Sequence, residues 1–416
     1  MNKKNCHYSC TLNEVCHEIT VGFVGSMTQE YISEGIPLLR SLNIKPYKLD
    51  LTNIKYISKE FHQKIRKSAL KKGDVVVVRT GQPGTSCVIP DEFDGLNCSD
   101  LVVARPNPEK IDSYYLAFYL NSMAKQYIGN QLVGAIQQHF NIRSAKEMII
   151  HLPSLNEQLK ISKVLNDLNT KIEVNNKINA ELEAMAKLIY DYWFVQFDFP
   201  FDFAQGKPDP KGKPYKSSGG KMVYNKELKR EIPEGWEVKT IGDYCKSTGG
   251  YAFKSSWWST EGSAVVKIKD IQEDYTIDLT DISHADLTGK DIDAKFISKP
   301  GDVLIAMTGA TVGKYAIVPV SKRPLYVNQR VGYFDLGNNP TSRLPFLINS
   351  LNQKYFREVV FTLASGAAQP NISNEQINNI KLVLPNDHLI EIYNYKMKSF
   401  YDKILNNQNE NQKLSY

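Results

Sequence analysis

The segment Lys72-Gly73-Asp74-Val75-Val76-Val77 returns later in the chain as Pro300-Gly301-Asp302-Val303-Leu304-Ile305. In both segments a Gly-Asp pair precedes a short apolar run, which is typical of a turn that leads into a buried strand. A repeat of this kind predicts that one folded unit is present twice, which indicates the architecture more strongly than any single helix or strand.

The likeness extends outward from these two segments in both directions and keeps its order along the chain. The other matched segments are 11–16 with 240–245, 37–44 with 264–271, 80–81 with 308–309, 88–90 with 317–319, 134–137 with 366–369, and 152–153 with 384–385. Apolar residues at helical spacing in 112–126 and 345–361 add a helix to each copy. We therefore expect two similar, mixed α/β units.

A long helix is predicted after each copy. Ser154-Leu155-Asn156-Glu157 is a capping box, with a hydroxyl N-cap and a carboxylate three residues later. Behind it, seam residues at alternating spacings of four and three run to about Trp193, as in a coiled coil. They are Ile161, Leu165, Leu168, Ile172, Asn175, Asn179, Leu182, Ala186 and Ile189. The second helix begins near Asn386-Asp387, and its seam is Tyr393, Met397, Phe400, Ile404 and Asn407. The alternative is a pair of exposed helices with polar interruptions in the stripe.

Connectivity predicts how these parts are arranged. The first helix leads away from the first unit, and the second helix can bury its stripe by running back along the first. The predicted fold class is therefore α+β (mixed), with two similar α/β units separated by an antiparallel two-helix coiled coil and related by a pseudo-two-fold axis. The predicted domains are 1–152 and 235–385, with spacer helices at 153–198 and 386–416 and a Pro/Gly/Lys-rich linker at 199–234.

Composition narrows the class of protein. Charged residues make up 23% and hydrophobic residues 42% of the 416 residues, as in ordinary folded proteins. No apolar run is long enough to cross a membrane, and the N-terminus lacks the apolar core of a signal peptide, so we expect a cytoplasmic protein without a membrane partner. The net charge of +6 permits a polyanion partner without requiring one.

Candidates for catalysis or cofactor binding are weak. Gly309-Ala310-Thr311-Val312-Gly313-Lys314 resembles a phosphate-binding loop, but its glycines are too close together and Tyr315 stands where that motif needs Ser or Thr. The charged segment 291–295 could imitate the carboxylates of a nuclease, although the first copy lacks it. One group near the N-terminus is spaced unlike paired zinc ligands: Cys6, His7, Cys10, Cys16 and His17. We expect no catalytic residue, no cofactor and no metal, which favours a binding role.

Residue types that contact DNA occur at matching places in both copies. Arg and Lys read guanine, Asn and Gln read adenine, and hydroxyl groups join the cations on phosphates. The candidates in the first copy are Arg40, Asn43, Lys45, Arg79, Thr80 and Gln82. Those in the second copy are Lys254, Lys267, Lys269, Thr308, Thr311 and Lys314, with Tyr251, Phe253, Trp257 and Trp258 near Lys254 in the sequence. Ordinary surface or core packing is the alternative for each of them.

One run of residues resembles a known family. Ile189-Tyr190-Asp191-Tyr192-Trp193-Phe194-Val195-Gln196-Phe197-Asp198-Phe199-Pro200 looks like the end of the central conserved region of type I restriction–modification specificity subunits. Segments 206–208, 214–222 and 232–236 continue the likeness, and Asn179-Ala180-Glu181-Leu182 is similar to a short unit whose copy number adjusts helix length in some members. The likeness covers essentially the whole chain. One departure lies in 134–142, where His139-Phe140 replaces the proline of the matching second-copy segment.

The resemblance implies two target recognition domains, each of which reads one half of a split, asymmetric site in double-stranded DNA. It also implies two methyltransferase (M) subunits docked on the helices and restriction (R) subunits in the full complex. S-adenosylmethionine and ATP would be bound by those partners and not by this chain. Base contacts do not carry over, because the recognition domains are the variable part of the family. The alternatives to a non-catalytic specificity subunit are a standalone site-specific nuclease or methyltransferase, and a helical scaffold that binds no nucleic acid.

The aromatic run that carries the resemblance has two interpretations. It either caps the helix pair as a small core of its own or presents the surface that grips a methyltransferase subunit. The candidate docking residues are Tyr190, Tyr192, Trp193, Phe194 and Phe197.

Overall fold

The computed structural model describes residues 8–131, 140–365 and 370–414. The chain folds as two compact units, Met1–Thr170 and Lys171–Tyr416. In the described ranges no helix is both long enough and apolar enough to span a membrane. The predicted repeat pair 134–137 and 366–369, together with Cys6 and His7, lies outside the described residues.

In its described residues, the first unit contains short strands and four α-helices, and a fifth helix begins in it. The strands are β1 (Tyr8–Thr11), β2 (Cys16–Val21), β3 (Tyr31–Ile32), β4 (Ile36–Leu39), β5 (Ile44–Lys45), β6 (Lys48–Leu49), β7 (Lys55–Ile57), β8 (Val75–Val78), β9 (Ser86–Val88), β10 (Asn97–Cys98), β11 (Leu101–Pro106) and β12 (Ile149–Leu152). The helices are α1 (Leu12–Val15), α2 (Lys59–Lys64), α3 (Ser113–Gln131), α4 (Ile142–Glu147) and α5 (Leu155–Tyr190).

The second unit begins inside α5 and is built from the remaining elements. The strands are β13 (Pro200–Asp202), β14 (Lys207–Pro208), β15 (Lys213–Pro214), β16 (Met222–Asn225), β17 (Arg230–Pro233), β18 (Glu237–Thr240), β19 (Ser247–Gly249), β20 (Trp258–Ser259), β21 (Ser263–Val266), β22 (Ser283–Ala285), β23 (Ile297–Ser298), β24 (Val303–Ala306), β25 (Tyr315–Ile317), β26 (Leu325–Val327), β27 (Val331–Phe334) and β28 (Lys381–Leu384). The helices are α6 (Ile241–Tyr244), α7 (Leu344–Leu351), α8 (Lys354–Ala364), α9 (Asn374–Asn378) and α10 (Asp387–Leu414).

Strand order confirms the predicted duplication. The sheet β2-β11-β8-β9 of the first unit matches β19-β27-β24-β25 of the second. The sheet β3-β7-β4-β10 matches β20-β22-β21-β26, to which the second unit adds β23. In each of these sheets the last matched pair, β4 with β10 and β21 with β26, is parallel while the others are antiparallel. A two-stranded sheet also recurs, β1 with β12 and β18 with β28.

The repeated Gly-Asp segments build the same turn into the same central strand. Gly73 and Gly301 have φ of 81° and 88°, a left-handed conformation that glycine adopts without steric cost. The following aspartate closes the turn, because Asp74 accepts from the Lys71 N–H at 2.8 Å and Asp302 from the Lys299 N–H at 2.5 Å. The repeated sequence is therefore a turn motif that launches a strand.

Residues of the central strands alternate between two cores in each unit. Val75 and Val77 of β8 pack into one hydrophobic cluster, and Val76 packs into another on the opposite face. In β24, Ile305 and Leu304 separate in the same way. Because side chains alternate across a strand and both faces are covered, these strands read as continuous apolar runs.

The predicted linker is wrong as a description of residues 199–234. Phe199, Tyr215 and Ile232 are buried in the main core of the second unit, and the rings of Phe199 and Tyr215 stack with centroids 4.7 Å apart. The strands β13 to β17 lie in this segment. Its Pro, Gly and Lys residues form turns between widely spaced aromatic anchors, so composition alone suggested a linker where the chain is folded.

Two predicted helices need correction. The helix after the first copy leaves α-helical geometry at Tyr190 and continues as one π-helical turn, Asp191–Val195. The predicted helix 345–361 is two helices, because the chain breaks at Asn352 and Gln353. The Asn352 side-chain oxygen accepts from the hydroxyls of Tyr275 and Tyr315, each at 2.8 Å, which fixes the break in place.

Within the second unit, α10 packs along the last part of α5. The Asn407 amide donates to the Asn179 amide oxygen at 2.8 Å, and the Tyr393 hydroxyl donates to the Ala186 carbonyl at 2.9 Å. Partner numbers fall along α10 as they rise along α5, so these two stretches run antiparallel. The predicted seam fails at its start, because Ile161 is 41% exposed.

Helix caps follow the sequence prediction. The Ser154 N–H donates to the Glu157 carboxylate at 3.0 Å, and the Ser154 hydroxyl donates to it at 2.8 Å. Asn386 caps the start of α10 by accepting from the Leu389 N–H at 3.1 Å. A side chain that satisfies these otherwise unpaired N–H groups stabilises the first turn of a helix.

Candidate nucleic-acid interface

The turn after β4 shows which predicted residues are available to a ligand. Arg40 begins this turn, and its N–H donates to the Asn43 amide oxygen at 3.1 Å. The amide nitrogen of Asn43 donates to the Asp50 carbonyl at 2.9 Å, and Asn43 is 0% exposed. The prediction that Asn43 contacts DNA is therefore wrong for this structure, because the side chain is an internal brace.

The second unit has the same brace. The Lys267 N–H donates to the Asp270 carboxylate at 2.8 Å, and Asp270 is 3% exposed. Burial raises the pKa of Asp270, against the opposing effect of the hydrogen bond from Lys267. In both units the turn thus holds the backbone of a cation, Arg40 or Lys267, while its side chain is left half-buried.

Four of the predicted cations are neutralised by carboxylates. Lys45 lies 3.9 Å from Asp50, and Arg79 lies 2.5 Å from Asp100. Two further pairs lie in the second unit, Lys269 with Asp281 at 3.0 Å and Lys314 with Glu273 at 2.9 Å. Exposed pairs of this kind contribute only about 0–1 kcal/mol, so a phosphate could replace the carboxylate, but the local charge is balanced before it does.

The predicted hydroxyl contacts divide by exposure. Thr80 is half-buried, and its hydroxyl lies 3.4 Å from Asp100, beside exposed Gln82. The hydroxyl oxygens of Thr308 and Thr311 are covered, and within the described residues neither has a hydrogen-bond partner. The structure therefore leaves Gln82 open to a ligand and contradicts the prediction of DNA contacts by the hydroxyls of Thr308 and Thr311.

Lysines and aromatic rings meet in the second unit near β20. The Lys254 ammonium lies 5.7 Å from the centroid of the Trp257 ring, and Lys290 lies 5.2 Å from the same ring. Tyr251 stacks on Trp257 with centroids 5.9 Å apart. Lys290 could not be predicted from the sequence, because it is distant from Trp257 in the chain and belongs to no local motif. Its only signal is the spatial neighbourhood of the tryptophan.

Most of the aromatic run is core. Tyr190, Trp193, Phe194 and Phe197 are each 6% exposed or less and belong to the main cluster of the second unit. The prediction that they dock a partner is therefore corrected to a packing role, since their rings are already covered. Tyr192 is different, because it is 38% exposed.

Tyr192 extends an exposed apolar stripe along α5 that the sequence reading missed. The other members are Val174, Ile178, Met185 and Leu188, with exposures of 46%, 37%, 49% and 68%. Because an α-helix turns once in 3.6 residues, their spacings of four, seven, three and four place them on one face. That face differs from the one that carries Asn179 and Ala186 against α10.

In the described part of the chain, the cysteines and acids form no metal-binding cluster, and burial keeps the thiols protonated. No group of three or more His, Cys, Asp or Glu there is arranged to hold a metal ion. Burial raises the pKa of Cys16, Cys87, Cys98 and Cys245 to about 12, so these thiols stay protonated near neutral pH.

Comparison with known proteins gives one family. Residues 30–184 and 233–416 match the family described as the type I restriction modification DNA specificity domain. Among curated proteins, the chain is 23% identical to the type I restriction enzyme HindI specificity subunit of Haemophilus influenzae, covering 90% of this chain and 89% of that protein. It is also 23% identical to the MjaIX specificity subunit of Methanocaldococcus jannaschii, covering 73% of this chain and 66% of that protein.

A solved structure has the same fold. The S subunit of a type I restriction–modification system from M. genitalium aligns over 100% of this chain and 94% of its own, with a TM-score of 0.54 and 16% identity. At that identity the match supports the architecture alone.

Proposed function

Because the chain belongs to the type I restriction–modification DNA specificity family, we propose that each of its two α/β units reads one half of a split, asymmetric DNA site. The chain is a DNA specificity subunit, and its role is recognition rather than catalysis, which sets aside a standalone nuclease or methyltransferase. The observation that carries the proposal of two half-sites is the matched strand order of the two units.

We further propose that α5 and α10 form an antiparallel coiled coil that separates the two recognition domains, 1–152 and 235–385, with pseudo-two-fold symmetry. The paired asparagines Asn179 and Asn407 support this proposal. A polar residue in a helical seam costs stability but fixes the register of the pair, which a spacer of defined length requires.

Methyltransferase subunits are the partners that we propose for the exposed stripe on α5. Two such subunits, with restriction subunits added in the full complex, would supply catalysis and bind S-adenosylmethionine and ATP. The stripe supports this role because it is apolar apart from Glu181 and lies on a different face from the one that packs on α10. The cytoplasmic location predicted from the N-terminus stays a prediction.

Mapping methylated adenines tests the proposal directly. The chain would be expressed with its methyltransferase subunits in a host that lacks other adenine methylation. We expect one asymmetric motif made of two short blocks with an unspecified gap. A single uninterrupted motif would contradict two reading units, and methylation by the isolated chain would contradict a non-catalytic role.

A further inference from the structure

Both units place an aromatic ring and a cation at the same structural position. Tyr31 is the first residue of β3 and pairs with Ile57 of β7, while Trp258 is the first residue of β20 and pairs with Ala285 of β22. On the other side of β7 lies β4, and on the other side of β22 lies β21. Each of these strands, β4 and β21, is followed directly by the turn that carries the cation. The equivalence therefore rests on strand register and not on residue identity.

The turns that hold the two cations share two of the hydrogen bonds that close them. Arg40 and Lys267 each donate a backbone hydrogen bond to the side chain three residues later. The carbonyls of those residues, Asn43 and Asp270, then accept from the N–H groups of Asp50 and Asp278, both at 2.8 Å. The same frame thus fixes both cations.

The side chains repeat a chemistry with different residues. The Arg40 guanidinium lies 5.9 Å from the centroid of the Tyr31 ring, and the Lys267 ammonium lies 3.4 Å from that of Trp258. Lys55 adds a second cation at 5.9 Å from Tyr31. Contacts of this type are common in proteins, and what sets these two apart is their equivalent position in the two sheets.

Charge balance sets these two cations apart. Lys45 and Lys269, a few residues further along, each form an ion pair with a carboxylate. Within the described residues no carboxylate lies within ion-pair distance of Arg40 or Lys267. The Arg40 guanidinium donates to the Asn53 carbonyl at 2.7 Å, and its Nε is buried with no hydrogen-bond partner among the residues that the structure describes. A ring attracts a cation without cancelling its charge, so both cations remain free to meet an anion.

We propose that Arg40 on Tyr31 and Lys267 on Trp258 are equivalent phosphate-binding points, one for each half of the DNA site. The inference rests on the proposed function and deepens it. The ligand is a backbone phosphate of the duplex. Contact with the ring restricts the long side chain of the cation before DNA binds. Less side-chain conformational entropy is then lost on binding. A phosphate contact fixes the position of the duplex and carries no sequence information.

The test uses the full complex with methyltransferase subunits and a duplex that contains the mapped site. Affinity would be measured across a salt series for Arg40→Gln and Lys267→Gln, with Lys72→Gln and Lys354→Gln as matched controls, because these are exposed, ion-paired lysines that are not predicted DNA contacts. We expect each of the first two variants to weaken binding roughly tenfold at low salt and to reduce the slope of log affinity against log salt by about 1. Lys267→Arg and Arg40→Lys should restore the slope.

Methylation mapping of the same variants separates a phosphate contact from a base contact. The motif should stay unchanged in both halves. Unaltered affinity and slope in Arg40→Gln and Lys267→Gln would overturn the proposal, as would an equal loss in the two controls or a relaxed motif. Failure of the unmodified complex to bind a two-part site would instead count against the proposed function, so the two failures are distinguishable. Thermal melting of each variant identifies any loss that comes from misfolding.

Discussion

The two α/β units have the same strand order and differ in the charged residues at equivalent positions. In the first unit Arg79, just after β8, pairs with Asp100, just before β11. The strand registers place Met307 and Arg330 at those positions in the second unit. Strand order depends on buried apolar residues, so surface residues are free to diverge. Under the proposed function, unlike charges at equivalent positions would let one duplicated scaffold read two unlike half-sites.

The largest expected effect comes from exchanging a whole unit. Replacing residues 1–152 with the corresponding unit of the Haemophilus influenzae relative should substitute one half-site and leave the other unchanged, because each unit has its own sheets and cores. The junction falls just before the capping box at Ser154, so the helix start is kept. Methylated adenines would be mapped in the hybrid. Altered bases in both halves would show that the units do not read independently.

An insertion in α5 tests whether this helix sets the gap between the two half-sites without affecting which bases each unit reads. Duplicating Asn179-Ala180-Glu181-Leu182 adds about 6 Å of helix, close to the rise of one or two base pairs. We expect the gap between half-sites to lengthen by about that amount while both half-site sequences stay the same. A control insertion of four residues in the turn 226–229 should leave the gap unchanged. New half-site bases would contradict the spacer role.

Variants of the adjacent residues Tyr192 and Trp193 distinguish a docking surface from the buried core. Trp193→Ala should lower the free energy of unfolding by about 3–5 kcal/mol, because the ring is buried against Phe194 and Tyr393. Tyr192→Ala should change it by less than about 1 kcal/mol and weaken binding of the methyltransferase subunits. Denaturant melts and co-purification measure the two effects. Full retention of partner binding by Tyr192→Ala together with Leu188→Ser would exclude the stripe as the docking face.

Patterns local in sequence were the ones that sequence could predict. The Gly-Asp turns, the capping box at Ser154 and the seam asparagines depend on residues a few positions apart, and the structure has them as expected. The duplication was also predictable, because the buried strands are apolar in both copies and follow the same order along the chain.

Features that depend on burial were not predictable. Asn43 is a residue type that reads bases, yet both ends of its amide form hydrogen bonds within a turn. That turn is visible only in the folded structure. Residues 199–234 have the composition of a linker, although three distant apolar anchors fold them into the core. Tyr31 and Arg40, like Trp258 and Lys267, are nine residues apart, but each pair joins the first residue of one strand to the turn after another. Only the folded sheet shows that the ring and the cation meet.

The smallest expected effect on DNA recognition comes from the repeated aspartates, which act on stability. Asp74 has Arg105 at 3.5 Å, whereas the register places Asp335 at the position of Arg105 in the second unit. Burial raises the pKa of Asp302 from 3.8 to about 7, and Asp335 adds to that rise. The pKa of Asp74 is also raised by burial, but Arg105 opposes the shift.

The sign follows from which state holds the proton more tightly. Folded Asp302 binds its proton more strongly than the unfolded chain does, so its contribution to stability is full below pH 3.8 and is lost as the pH rises through about 7. Asp302→Asn keeps an oxygen for the Lys299 N–H and removes the charge. We expect this variant to flatten the decline in stability between these pH values by on the order of 4 kcal/mol, and Asp74→Asn to flatten it less. Melts of both variants across that range measure the difference, and an equal pH response in the two units would mean that Arg105 and Asp335 do not distinguish them.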